Sequence, residues 1–253
     1  MSRVALASVL VATIVVIITL SIYLPRLLVS GDQKYKVAMA GRSVTEQWFR
    51  RRTLPSILNK ISIWREWPIP YDKYSDDGIY YERIAIPSPT KNREKPGYVY
   101  GGESYKEIVG GLSHEKYDAL MFKFCFVDFD DGRIKNSDDV QNRFNEMTGF
   151  AKKIHGLARA RGIKLVLGNA MPTLAPSQYG QSLRRKYNQW LNDYASHETD
   201  VVIVDLFGFL ADDQGKLRKE YSFDLSDNDS HLNEVADKLY GESLKKAIGQ
   251  VRK

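Results

Sequence analysis

Three long apolar runs, with amphipathic stretches after them, restrict the folds open to this chain. The runs are "DALMFKFCFVDF" at 118–129, "IKLVLGNAMP" at 163–172 and "VVIVDLFGFL" at 201–210. A strand that reads as an unbroken apolar run is covered on both faces, as central strands of parallel sheets are. Between the runs, Asp138 to Arg161 places Val140, Phe144, Met147, Ala151, Ile154 and Ala158 on one helical face. Ser137 or Asp138 can cap its start, and Gly162 stops it. Ser177 to Ala195 directs Leu183, Tyr187, Trp190, Leu191 and Tyr194 inward, and a last helix follows Asn233. Earlier, "YKVAMAG" at 35–41 reads as a buried strand, and Ser43 to Ile63 as helix in two pieces broken at Pro55. This alternation predicts a three-layer α/β/α fold with a parallel central sheet.

Residues 64–100 hold five of the nine prolines and much tyrosine. They read as a long irregular insertion with one or two short strands, the kind of loop that carries function. The first thirty residues are a separate object. Val4 to Leu24 contains 21 residues without a charge, enough to span a bilayer core. The run is longer than a signal-peptide core, and Pro25-Arg26-Leu27-Leu28 offers no small-residue cleavage site. The expectation is an uncleaved transmembrane anchor at 1–30 and one α/β domain at 31–253. Arg3 on one side and Arg26, Lys34 and Lys36 on the other leave the orientation open by charge. A lone amino-terminal anchor ahead of a complete domain argues for an extracytoplasmic domain.

The net charge of +6 and pI near 9.2 favour anionic partners without choosing among them. The single cysteine, Cys125, forms no intramolecular disulfide, and no Cys/His spacing suits zinc. No P-loop or dinucleotide fingerprint is present. No metal or organic cofactor is therefore expected, and no nucleic-acid partner. Arg50-Arg51-Arg52, with Arg42, reads as a solvated helix face or as an attractor of anionic substrate or lipid head groups. His114, His155 and His197 read as solvated residues.

Ligands of a doubly wound sheet sit at the carboxyl ends of its strands. The groups there are Gly41-Arg42-Ser43, Val127-Asp128, Gly168-Asn169 and the segment "SFDLSDNDSHLNE" that ends in the last helix. Ser43 is either a helix cap or a nucleophile. A serine hydroxyl needs a base, and a neutral imidazole fixed by a carboxylate supplies one. His231 stands among Asp224, Asp227 and Asp229.

Gly41-Arg42-Ser43 resembles the "GDS" block of the SGNH/GDSL hydrolases, and Asp…His231-Leu232-Asn233 resembles their "DxxH" block. The order matches, and the resemblance covers about residues 35–250. It implies a flavodoxin-like α/β/α fold and an esterase or acyltransferase with Ser43 as nucleophile and His231 as general base. The orienting carboxylate would be Asp229, with Asp227 the alternative, because Asn228 occupies the usual position. The Ser43 N–H and a glycine, Gly102 in preference to Gly101, would form the oxyanion hole. The chain departs from the pattern at Arg42, which replaces an aspartate, and at Val127, which replaces the asparagine of the third block. Lys123, Asp128 and Asn169 are the supporting candidates for the missing donor. The resemblance implies an acyl-ester small molecule or acylated cell-envelope glycan or lipid as substrate. The alternative is a non-catalytic binding or assembly module for surface polysaccharide or anionic ligands. A third reading is a basic anchored module for nucleic acid or anionic lipid.

Overall fold

The computed structural model describes residues 34–53, 72–86, 102–130, 132–225 and 231–252. The expected anchor lies outside them. Among the described residues, no helix is long and apolar enough to cross a membrane.

The described elements are, in order, β1 (Tyr35–Gly41), α1 (Ser43–Thr53), β2 (Lys73–Asp76), β3 (Ile79–Ala85), α2 (Gly102–His114), β4 (Ala119–Lys123), α3 (Ser137–Ala160), β5 (Lys164–Gly168), α4 (Gln178–Ser196), β6 (Val201–Val204), α5 (Leu206–Leu210) and α6 (Glu234–Val251). The sheet order is β2-β3-β1-β4-β5-β6. Five strands, β3-β1-β4-β5-β6, run parallel. The sheet is not wholly parallel as expected, because β2 pairs antiparallel with β3 at the edge. The cause is local: Asp77 and Gly78 both have positive φ, 50° and 72°, the backbone of a tight hairpin turn at an Asp-Gly pair.

Alternate residues of each strand serve opposite layers. Ala38, Ala40, Leu120, Phe122, Leu165 and Leu167 face α2, α3 and α4. Val37, Met39, Met121, Val166 and Val204 face α1, α5 and α6. Both cores are closed, so the expected three-layer architecture is present.

Three expected boundaries shift for physical reasons. The excursion at 64–100 contributes β3, a full partner of β1, from described residues 72–86. The run at 118–129 stops being strand at Lys123 and turns into a 3-10 helix at Phe126–Asp128, where the Asp128 carboxylate accepts the Cys125 N–H at 2.6 Å. The run at 201–210 breaks at Asp205, whose side chain accepts from Gly208 N and starts α5. An apolar run does not declare its conformation, and a capping carboxylate decides it.

Tyr35 begins β1 at the sheet end opposite the carboxyl edge. Helix α6 starts at that edge and runs back, so Arg252 lies over the Tyr35 ring at 5.9 Å. Both ends of the described chain therefore meet at the far end of the sheet.

His155 is buried, not solvated as expected. Its Nδ1 lies 2.6 Å from the Tyr194 hydroxyl, and its Nε2 lies 3.0 Å from Asp200. Arg159, then burial working against it, then His155 set the Asp200 carboxyl, and the balance holds it well below the ordinary carboxylate range. A depressed carboxylate contributes stability above its unfolded pKa of about 3.9 and loses it as pH falls toward the folded value. Asp200→Asn should therefore flatten the fall in urea midpoint below about pH 4, measured against wild type from pH 6 to pH 2.

Candidate active site

Strand β1 has β3 on one side and β4 on the other, so the strand order reverses between β1 and β4. The crevice outside their carboxyl ends is where such sheets bind ligands. Two turns border it. One is Gly41-Arg42-Ser43 after β1; the other is Phe124 to Asp128 after β4. A Cβ on Gly41 would overlap the Thr45 side chain, so glycine is what lets the strand turn directly into α1.

Ser43 is the first residue of α1. It is not the cap: Arg42 precedes the helix, and its carbonyl accepts the Glu46 N–H at 2.9 Å. The N–H groups of a first helical turn have no acceptor within the helix and carry its positive end. The Ser43 Oγ lies 3.9 Å from Cys125 Sγ. Burial pushes the Cys125 thiol up, so it stays protonated.

Ser43, Gln47 and Arg51 are four residues apart and share one face of α1. Gln47 Oε1 accepts the Leu232 N–H at 3.2 Å. Arg51 donates to the carbonyls of Leu232 at 2.5 Å and Asn233 at 2.7 Å. One turn earlier on that face stands Ser43; one residue earlier on that segment stands His231. The His231 ring meets the Phe126 ring edge-on at 5.8 Å. Serine and imidazole thus both border the Cys125-Phe126 dipeptide.

The arginines of α1 are not a free cationic face. Besides Arg51, Arg52 donates to Asp237 at 2.6 Å and lies over the Trp48 ring at 4.2 Å. Burial raises the Asp237 carboxyl while both arginines pull it down. Arg50 sits 3.9 Å from Glu46. Arg42 makes a buried ion pair with Asp128 at 2.6 Å, the two side chains 4% and 1% exposed. Asp128 therefore joins the two turns of the crevice.

The other supporting candidates have structural duties. Asn169 Oδ1 accepts from Leu206 N at 2.7 Å and Phe207 N at 2.9 Å, and its Nδ2 donates to Asp205 at 2.7 Å. It starts α5 and is not turned to the crevice as a donor. Lys123 is 1% exposed, with Met171 Sδ at 3.7 Å as its hydrogen-bond partner. Burial lowers its pKa, and its enclosure keeps the ammonium group from the open crevice. Val127 is half-buried against the α1 side of the sheet. Gly102 opens α2 and is exposed. It is the first residue of the helix that crosses from β3 to β4, which starts toward the sheet edge where β3 and β1 end. Asp227, Asp229 and Gly101 lie outside the described residues.

A residue that sequence reasoning missed is Arg184. It is fully buried in α4, donates to Met171 O at 3.0 Å and Phe126 O at 3.3 Å, and lies 3.6 Å from Asp130. It braces the turns after β4 and β5 from behind. Burial lowers its pKa to about 10. The only signal was an arginine on the inward face of an amphipathic helix.

The fold is that of the SGNH, or GDSL, hydrolases. Among solved structures, it is similar to a GDSL-like lipase from Bacteroides thetaiotaomicron, at TM-score 0.53 and 15% identity, covering 85% of this chain and 88% of that one. It is likewise similar to a member of the lipolytic G-D-S-L family from Veillonella parvula, at TM-score 0.52 and 15% identity, covering 85% of this chain and 98% of that one. No protein-family model and no curated protein matches the sequence.

Two measurements follow from this geometry. Breaking the buried pair with Arg42→Met should cost about 3–5 kcal/mol, because Asp128 is left uncompensated, while Arg42→Met with Asp128→Leu should recover most of it. Urea denaturation of the single and double variants reads this. Gln47→Ala with Arg51→Ala should loosen the 231–233 segment, which keeps its bonds to Glu220, Tyr221 and Phe223, and lower reactivity at Ser43 at least tenfold while the far-UV spectrum stays native.

Proposed function

We propose that the chain is a serine-dependent hydrolase or acyltransferase of the SGNH type, acting on acyl esters. The observation that carries this reading is the double role of α1. It presents Ser43 at the switch-point crevice and, through Gln47 and Arg51, holds the main chain directly after His231.

In the proposed reaction, His231 takes the proton of Ser43 as Oγ attacks the ester carbonyl. The N–H groups of Ser43 and Gly102 stabilise the tetrahedral oxyanion, helped by the positive ends of α1 and α2. His231 then hands its proton to the leaving alcohol. Water or an acceptor hydroxyl, activated by the same imidazole, releases the acyl group. An aspartate of the preceding loop, Asp229 or Asp227, fixes the imidazole tautomer. No step calls for a metal or organic cofactor. Val127 removes one side-chain donor, which lowers transition-state stabilisation by about 3 kcal/mol relative to an asparagine. The Val4–Leu24 run supports a membrane-anchored protein with its domain outside the cytoplasm, and hence a cell-envelope glycan or lipid ester as substrate.

A second reading is favoured by Val127 together with the Arg42–Asp128 pair. These replace two polar positions of the hydrolase pattern, and they suit a binding module for surface polysaccharide that keeps the fold without the chemistry.

A fluorophosphonate probe separates the two. The catalytic reading expects an adduct on Ser43 by mass spectrometry, absent in Ser43→Ala and reduced at least a hundredfold in rate in His231→Ala. A folded protein without adduct favours the binding module. The anchor reading expects the full chain to sediment with membranes after carbonate extraction, and residues 31–253 to remain in the supernatant.

A further inference from the structure

The sheet end opposite the crevice carries a group of side chains that the proposed reaction does not use. His155 and Arg159 stand one turn apart on the same face of α3. Tyr194 lies in the last turn of α4, Glu198 in the turn that follows, and Asp200 directly before β6. One ring nitrogen of His155 and one carboxylate oxygen each of Glu198 and Asp200 all lie within 4.8 Å of one another.

His155 is 2% exposed, so its ring nitrogens depend on partners inside the protein. Nδ1 has one, the Tyr194 hydroxyl at 2.6 Å. Nε2 comes within 3.0 Å of Asp200 Oδ1, yet it forms no hydrogen bond among the described residues. The contact has the length of a hydrogen bond without its direction. With the Nδ1–H donated to the Tyr194 oxygen, Nε2 turns a lone pair toward a carboxylate. Two electron-rich atoms this close repel each other unless a positive charge lies between them.

A metal ion supplies such a charge. An ion about 2.1 Å from both atoms would see them at about 90°, an angle that octahedral and five-coordinate sites use. The bond from Nδ1–H to Tyr194 is the outer contact that ligating histidines make, and it fixes the tautomer and the ring plane. One imidazole beside two carboxylates suits a divalent first-row transition ion, and the nitrogen sets the group apart from the oxygen-lined sites of calcium and magnesium.

Arg159 shows that the two carboxylates are arranged around a cation. Its Nη2 donates to Glu198 at 2.5 Å and to Asp200 Oδ1 at 2.9 Å, and its Nε donates to Asp200 Oδ2 at 2.8 Å. One positive charge stands against two negative ones, so the group stays net negative while His155 is neutral. The Arg159 side chain is 50% exposed, so it can turn out to solvent and give up its place.

We propose that His155, Glu198 and Asp200 bind one divalent transition-metal ion, with water in its remaining positions and Arg159 as the group it displaces. The ion would join α3 to the turn between α4 and β6. It would pin the start of the edge strand, which is four residues long. Its role is stability, separate from any chemistry at Ser43.

Calorimetric titration of the chelator-treated full chain with Zn²⁺ tests this. One ion per chain is expected, with affinity at least tenfold weaker in each of His155→Gln, Glu198→Gln and Asp200→Asn. Arg159→Met removes the competitor and should bind at least threefold more tightly. His231→Ala should stay within twofold of wild type, which separates this group from the imidazole of the crevice. The proposal is overturned by absence of saturable one-to-one binding, by affinity kept in any of the three ligand variants, by Arg159→Met binding no tighter, or by loss in His231→Ala. Glu198 is partly exposed, so Glu198→Gln decides alone if His155→Gln does not fold. The second readout is the melting temperature, which Zn²⁺ should raise for wild type and not for Glu198→Gln or Asp200→Asn. No rise for wild type, or an equal rise in all three, overturns the site.

Discussion

Helix α1 fixes the relation between the two ends of the domain. Its first residue follows the central strand β1, and its second and third turns grip the main chain at Leu232 and Asn233. Arg52 then reaches Asp237 in α6. The nucleophile candidate and the base candidate are far apart in sequence, yet one rigid element addresses both. Their spacing depends on helix geometry and on charge-assisted bonds to carbonyls, which are stronger than neutral ones.

The buried Arg42–Asp128 pair does the equivalent work across the crevice. A pair this deep gives little net stability, because desolvation offsets the attraction. Its effect is on specificity of arrangement: the turn after β1 and the turn after β4 have one mutual position in which neither charge is orphaned. Arg184 holds the same region from the opposite layer. The crevice is therefore rigid on three sides, by guanidinium groups that the chain places inside.

The layer order was legible in the sequence because the helices after residue 136 are long and strongly one-sided. The caps of α4 and α6 were legible too, at Ser177 and Asn233. The cap of α3 was misread: it is neither Ser137 nor Asp138 but Asn136, whose side chain accepts the Asp139 N–H at 2.9 Å. The one or two short strands expected in 64–100 are β2 and β3; that β3 pairs along the whole of β1 was hidden, because Pro and Tyr surround it and half its residues are partly exposed. The break between β6 and α5 was hidden because Asp205 looks like any polar residue inside an apolar run. Ser43 and His231 were singled out by type and order. Their supporting bonds were not, since Arg42 and Asp128 stand 86 residues apart, and nothing local marks an arginine for burial. The same limit explains Asn169, whose oxygen caps a helix that the apolar pattern does not announce.

The meeting of Tyr35 and Arg252 at the far end of the sheet has a practical and biological consequence. Anything joined to either end of the described chain, whether tether, tag or fused domain, attaches behind the molecule. The crevice then points outward like the business end of a tool held by its handle. Such a layout suits work on material at arm's length from the attachment point, and it lets the protein be immobilised through its ends with the crevice still open.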